Sequence, residues 1–288
     1  MGKWKALPRA WYLVIAAAVA ISLLMACSSG EPADGQPGNG EAANGETELV
    51  DTNAHLVMSV LWAQTAAEAR ALYYQAFNVA RFRLDEALES ETDGKTLAVV
   101  VDLDETVLDN SPCFAEMVKT DGMYGNCWLE WVDLAEAEAL PGAGEFLDYA
   151  ESQGVEVFYV SNRFEAQREA TMDSLVSVGF PYVDDDHVLL REAESSKESR
   201  RQTVAGSCEI VLLIGDNLND FTDVFEDTPV PERAAEVDAL RDEFGSRFIV
   251  LPNSMCGDWE DAVYQYDRTH TDEEKDSLRK DMLQGYSE

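Results

Sequence analysis

The chain has 288 residues, 56 of them acidic and 21 basic, for a formal net charge of −35. Nucleic acid and anionic membrane surfaces need a basic footprint, so this charge argues against both as surface partners. A hydrophobic content of 46% argues against disorder of the whole chain. The length suits one buried domain of about 200 residues with a targeting segment and a linker.

Only seven of the basic residues are lysines. A surface so rich in Asp and Glu is similar to that of proteins from saline habitats, and also fits an ordinary acidic, soluble protein. At about 1 M salt the screening length falls to about 3 Å, which relieves self-repulsion. On the saline reading the melting temperature falls as salt is removed, and a melting temperature indifferent to salt contradicts that reading.

Lys3, Lys5 and Arg9 precede an apolar stretch from Trp11 to Met25, the order of a secretory signal. Leu24-Met25-Ala26-Cys27-Ser28-Ser29-Gly30 resembles a bacterial lipobox. That likeness implies a lipoprotein signal peptide over 1–26 and acylation of Cys27. The alternative is an uncleaved membrane helix, but the stretch is at the short limit of about 17 residues for spanning. Residues 27–50, rich in Gly, Pro, Asn and Glu, read as a flexible tether. The expected location is outside the cytoplasm, lipid-anchored to the cell membrane or outer membrane.

Asn53 to Leu88 holds no proline or glycine and carries apolar residues at helical spacing, so one or two amphipathic helices are expected within 51–92. Thr96 to Val101 is a near-continuous apolar run, the pattern of a strand buried on both faces of a parallel sheet. Similar strands are predicted at Val155–Val160, Ile210–Ile214 and Phe248–Leu251, with helices near Ala143–Ser152, Glu165–Val178 and Glu232–Phe244. This alternation predicts an α/β layered sheet with its core over 97–253, and 266–288 reads as an acidic C-terminal tail.

Three of the four strands end in a polar cluster: Asp102-Leu103-Asp104, Ser161-Asn162-Arg163, and Gly215-Asp216-Asn217-Leu218-Asn219-Asp220. Ligands of open α/β sheets bind beyond the carboxyl ends of the strands, so the three clusters are expected to converge. No Cys/His spacing suggests zinc, and His55, His187 and His270 are scattered. Beyond Cys27 there are four cysteines, which allow three complete pairings. Cys208 opens the strand ending near Asp216, about 8 residues or roughly 26 Å away. A disulfide tolerates about 7 Å between Cα atoms at most. Cys208 is therefore expected to be free and buried, and any bridge joins two of Cys113, Cys127 and Cys256.

Four pieces of sequence carry a specific resemblance: Asp102-Leu103-Asp104-Glu105-Thr106-Val107-Leu108-Asp109-Asn110, Val160-Ser161-Asn162-Arg163, Lys197 in Ser195-Ser196-Lys197, and Leu213 to Phe221. Together they resemble the haloacid dehalogenase superfamily of phosphatases, in particular the class C, or DDDD, acid phosphatases, the bacterial outer-membrane lipoprotein acid phosphatases. Leu61 to Phe77 is similar to that family's amino-terminal helices, so the likeness extends over 51 to about 265. It implies a Rossmannoid parallel sheet flanked by helices. It also implies a small helical cap, built from an insertion at about 110–140 and partly from the N-terminal helices.

The chemistry accounts for so many carboxylates in one place. A phosphate ester is a dianion, so its hydrolysis needs a cation and an anionic nucleophile held against it. The resemblance implies Mg²⁺, bound by Asp102, the backbone carbonyl of Asp104, and Asp216. Asp102 is implied as nucleophile and Asp104 as the acid that protonates the leaving group and then takes a proton from water. Asp220 would orient metal-bound water, Lys197 would neutralise the transferring group, and Ser161, Asn162 and Arg163 would hold phosphate. The first step needs Asp104 protonated and Asp102 ionised, so an acidic pH optimum is expected. Glu105 and Asp109 read as structural hydrogen-bond acceptors.

The implied substrates are small phosphate monoesters, with nucleoside monophosphates an open case. Relatives that prefer nucleotides sandwich the base between two aromatics. Trp128 matches the first, while Cys256 stands where a tyrosine is usual, and Cys113 replaces the tyrosine that closes the first signature. A lost stacking wall is worth about 1–3 kcal/mol, and Tyr264, Tyr266 or Trp259 are candidates to replace it. The resemblance also implies that the loops of Cys127 and Cys256 meet, which favours a bridge between them. The alternatives are a specialised 5′-nucleotidase or phosphotransferase, and a noncatalytic surface lipoprotein. Loss of Asp102 or Asp104 would favour the last, and both are present.

Overall fold

The computed structural model describes residues 53–90 and 94–286. The lipobox, Cys27, the signal segment and the tether lie outside the described residues. Among those described, no helix is long and apolar enough to cross a membrane.

In chain order the elements are α1 (Val57–Thr65), α2 (Ala67–Leu88), β1 (Thr96–Val101), β2 (Leu108–Asp109), α3 (Ser111–Thr120), α4 (Tyr124–Leu134) and β3 (Glu138–Ala139). They continue as α5 (Ala143–Ser152), β4 (Glu156–Phe164), α6 (Arg168–Ser177), β5 (Val188–Arg191), α7 (Glu198–Ser207) and β6 (Cys208–Gly215). The chain then forms α8 (Val230–Ala239), β7 (Phe248–Val250), α9 (Asp258–Val263) and α10 (Asp272–Asp281). Five strands form one parallel sheet in the order β5-β4-β1-β6-β7, and β2 and β3 pair as a separate antiparallel ribbon.

β1 sits at the centre of the sheet, and its alternation assigns residues to opposite faces. Val99 and Val101 join Val157, Tyr159, Leu212 and Ile214 beneath α2 and α5, which contribute Phe77, Leu84, Phe146 and Leu147. Ala98 and Val100 join Phe158, Val160, Leu213, Phe221 and Phe248 on the other face, with Val204 of α7. Covering both faces is what makes the run continuously apolar rather than alternating. A third cluster unites Leu56 and Val60 with Cys113, Phe114, Met117 and Met255. Thus α1 joins the small helical cap with α3, while α2 belongs to the layer on the sheet.

Several elements differ from the sequence expectation. β5 is a four-residue edge strand, and α7 buries only Arg201 and Val204, so neither has an apolar period to read. The segment read as an acidic tail contains α10. It buries nothing and is held by its cap and by one arginine: Thr271 Oγ1 accepts from the Glu274 N–H (3.3 Å), Glu274 accepts from the Thr271 N–H (2.8 Å), and Arg279 donates to the Tyr264 hydroxyl (2.6 Å). Acidic residues fill its first turn and Arg279 and Lys280 its last, matching the helix dipole.

Candidate active site

The ends of β1, β4 and β6 face one open cleft of about 750 Å³. At the end of β1 the Asp102 N–H donates to the Ile214 carbonyl at 2.9 Å, carrying the parallel ladder one residue further. The chain then doubles back through Leu103–Leu108, where the Leu108 N–H donates to the Leu103 carbonyl (2.9 Å) and Glu105 takes φ +58°. Glu105 is buried and accepts from the Asn110 N–H (3.0 Å), and Asp109 accepts from the Ser111 N–H (2.8 Å). Both act here as the hydrogen-bond acceptors that close the turn.

Asp102, Asp216 and Asp220 each bring a carboxylate oxygen within 4.8 Å of the others. Asp220 reaches the group through a single 3₁₀ turn, Leu218–Asp220, in which its Oδ2 accepts from the Asn217 N–H at 2.9 Å. That fold-back requires glycine at the end of β6: a Cβ on Gly215 would lie 2.5 Å from the Asp220 Cβ. Lys197, buried at the start of α7, donates to Asp102 Oδ1 and, at 2.6 Å, to Asp220 Oδ1. Thr106 Oγ1 lies 3.3 Å from Asp102 Oδ2 and 3.1 Å from Asp216 Oδ1, and Asn253 Nδ2 donates to Asp216 Oδ2 at 2.7 Å.

Asp104 is held apart from this group. Arg163 donates to its Oδ1 from Nη2 (2.7 Å) and Nε (3.0 Å), and Asn110 Nδ2 donates to the same oxygen (3.0 Å). Ser161 Oγ accepts from the Arg163 N–H at 3.1 Å and lies 3.5 Å from Asp104 Oδ2. Asn162 is exposed, and its Oδ1 accepts from Arg200 Nη2 at 2.7 Å.

Three carboxylates face one ammonium, and the electrostatics record the shortfall of positive charge. Burial pushes Asp102 up to about 7, with Asp220 and Asp104 adding to the shift and Lys197 opposing it. Burial also holds Asp216 well above the usual carboxylate range, reinforced by Asp220 and Asp102. The Lys197 ammonium is held above its ordinary value because its two carboxylate partners outweigh its desolvation. A divalent cation fits this place on two grounds. The donor set is all oxygen, as hard cations such as Mg²⁺ prefer, and the buried excess negative charge calls for a compensating cation.

The cap forms one wall of the cleft. Trp128 stacks on Tyr124 with ring centroids 5.7 Å apart, and the Arg163 guanidinium lies 5.6 Å from the Trp128 ring. Cys256 lines the cleft and accepts from Asn253 Nδ2 (3.4 Å), so this position offers a thiol and no ring face. Tyr264 and Tyr266 line the same cleft, whereas Trp259 donates its indole N–H to the Cys256 carbonyl (3.0 Å). The expected bridge between Cys127 and Cys256 is not formed. Cys113 and Cys127 bring their sulfurs within 2.9 Å because α3 and α4 pack together, and all four described cysteines are free thiols. Cys208 is buried at the start of β6, the edge of the sheet away from the cleft.

Sequence reasoning missed the supports of this site. On α7, Arg200 reaches Asn162, and Arg201 donates to the Asn219 (2.8 Å) and Asp220 (3.1 Å) carbonyls, so one helix ties the ends of β4 and β6 together. Two adjacent arginines three residues after Lys197, in a chain so poor in basic residues, were the available signal. Thr106, Asn110 and Asn253 carried no signal beyond their place in or near the motifs.

Carboxylates gathered where three parallel strands end make this a ligand crevice of the open α/β kind, centred on anionic groups. The chain belongs to the haloacid dehalogenase superfamily, subfamily IIIB (acid phosphatase), whose family model matches residues 31–259. It is similar to the class C acid phosphatase of Bacillus anthracis in two solved structures, one of them with tungstate bound. Each of those structures is 46% identical, with a TM-score of 0.81, covering 83% of this chain and 100% of that one. It is also similar to vegetative storage protein 2 of Arabidopsis thaliana, 29% identical over an alignment of 145 positions that covers 45% of this chain. The chain spans about half the length of that curated relative, 51%.

Proposed function

We propose that this chain is a Mg²⁺-dependent acid phosphatase that hydrolyses small phosphate monoesters through a phosphorylated Asp102. The observation that carries the reading is the division of labour at the end of β1. Asp102 belongs to the buried Asp102–Asp216–Asp220 group with Lys197, while Asp104, two residues on, is held separately in the same cleft. A cation held by Asp102, Asp216 and the Asp104 carbonyl that the family implies, with Asp220 beside it, would draw charge from the phosphoryl oxygens.

The protein's own groups do the rest. The Asp102 carboxylate attacks phosphorus, and Asp104 hands its proton to the departing oxygen. Water then attacks the phosphorylated aspartate, and Asp104 takes the proton back. Lys197 holds Asp102 in line and offsets negative charge on the transferring group. Ser161 and the Asn162 backbone N–H, at the end of β4, would receive phosphate oxygens. That the Bacillus anthracis relative binds tungstate, an oxyanion of phosphate's shape, supports a phosphate-binding reading.

Substrate preference follows from the cap. With Trp128 stacked on Tyr124 and a thiol at position 256, a nucleobase would need Tyr264 or Tyr266 as its second wall, so compact monoesters are the substrates this reading takes first, with nucleotides a further case. The lipobox resemblance supports anchoring of the enzyme to a membrane through Cys27, outside the cytoplasm. Hydrolysis of p-nitrophenyl phosphate tests the proposal: a chelator is expected to abolish it and added Mg²⁺ to restore it. Activity that survives chelation would remove the cation from this reading.

A further inference from the structure

We infer that Arg163 is the positioning residue for Asp104, fixing which carboxylate oxygen carries the catalytic proton. This rests on the phosphatase reading above and departs from the sequence expectation that Arg163 grips phosphate. Arg163 is buried at the end of β4, with 2% of its surface exposed. Its Nε and Nη2 edge is spent on Asp104 Oδ1, at 3.0 and 2.7 Å. Only Nη1 lacks a partner, and one free corner of a guanidinium cannot supply the two-pronged grip by which arginine holds phosphate.

The consequence lies in the carboxylate. Asp104 Oδ1 receives three N–H donors, two from Arg163 and one from Asn110 Nδ2 at 3.0 Å. Asn110 is itself fixed: Trp131 Nε1 donates to its Oδ1 (2.8 Å) and its backbone N–H donates to Glu105 (3.0 Å). An oxygen with both lone pairs engaged by N–H donors has no room for a hydrogen of its own. Oδ2 has only Ser161 Oγ at 3.5 Å and a grazing contact from Arg163 Nε at 3.3 Å. Oδ2 is therefore the oxygen left open to carry and deliver a proton.

In the first half-reaction the bond from Asp102 to phosphorus forms and the ester P–O bond breaks. The Oδ2 proton passes to the departing oxygen, which leaves as an alcohol. In the second, water attacks phosphorus, its proton returns to Asp104 Oδ2, and the bond from phosphorus to Asp102 breaks to release phosphate. Without Arg163 the carboxyl can rotate, and the proton is no longer aimed at the leaving group.

Such a role predicts a leaving-group effect that a phosphate ligand or a purely structural residue would not produce. The quantity to measure is kcat/KM, which reports the steps through departure of the alcohol, for wild type, Arg163→Gln and Arg163→Lys. One substrate is p-nitrophenyl phosphate, whose leaving group departs without help, and the other is a simple alkyl phosphate. Arg163→Gln is expected to lose about 100-fold on the alkyl ester, the low end of what general acid catalysis contributes, and less than about tenfold on the aryl ester. Arg163→Lys, with the charge but not the fork, is expected to fall between wild type and Arg163→Gln in the ratio of the two losses. The ratio is taken within one preparation, so it does not depend on the fraction of folded protein. Equal losses on both esters in both variants would overturn the inference, while a wild type inactive on both would overturn the phosphatase reading itself.

Discussion

Replacing Lys197 by methionine is expected to destabilise the metal-free protein by about 3–5 kcal/mol at about pH 8, the usual cost of removing one partner from a buried ion pair. Its side chain is 7% exposed and lies against two carboxylates that are 8% and 7% exposed, so little solvent reaches Asp102 or Asp220 to replace the ammonium. At about 2–4 °C per kcal/mol for a domain of this size, the melting temperature should drop by about 10 °C. The loss should shrink in acid. Asp102 is pushed up to about 7, above its unfolded value of about 4, so the folded protein gains a proton there that the unfolded chain lacks. The stabilisation from that proton is complete below about pH 4 and disappears as the pH rises through about 7. Thermal melts of both proteins at acidic and alkaline pH check this. A variant as stable as wild type at about pH 8 would mean that the two carboxylates find other partners.

Asp102→Asn is expected to abolish activity, by about 10⁴-fold or more, as loss of a nucleophile does in other enzymes. Its effect on stability should have the opposite sign. The substitution keeps the side chain's size, leaves Lys197 paired with Asp220 at 2.6 Å, and removes one charge from a group with excess negative charge. The variant should therefore melt at the same temperature as the metal-free wild type or above it. Rates on p-nitrophenyl phosphate, paired with melts of the same samples, separate the two effects. An inactive variant that has also unfolded would recast Asp102 as a structural residue.

The parts of this molecule that could be read in advance were those with a one-dimensional signal. β1 runs from Thr96 to Val101 as expected, because covering both faces leaves only apolar residues along it. The acidic strand ends follow from the rule that parallel strands present their carboxyl ends to the ligand, and Asp102, Asp216 and Asp220 do meet there. β5, α7 and α10 were missed for three different reasons: a very short edge strand, a helix that buries two residues, and a helix that buries none and is held by its cap and by Arg279.

Asp104 shows a subtler limit. Spacing two residues apart suggests that it shares the surroundings of Asp102, yet the turn at Glu105 and the reach of Arg163 from β4 give it a different set of neighbours. Such a long-range hydrogen bond leaves no trace in local sequence. The cysteines follow the same pattern. Contact between α3 and α4 decided that Cys113 faces Cys127, and no spacing rule distinguishes that pair from Cys127 with Cys256.

The stereochemical course at phosphorus probes the role of Asp102 without reference to any variant. Phosphoryl transfer from an isotopically chiral phosphate monoester to an alcohol acceptor would be followed by the configuration of the product. Two successive in-line displacements, first by Asp102 and then by the acceptor, give net retention, which is the expected result. Net inversion would mean a single direct displacement and would contradict a phosphorylated aspartate.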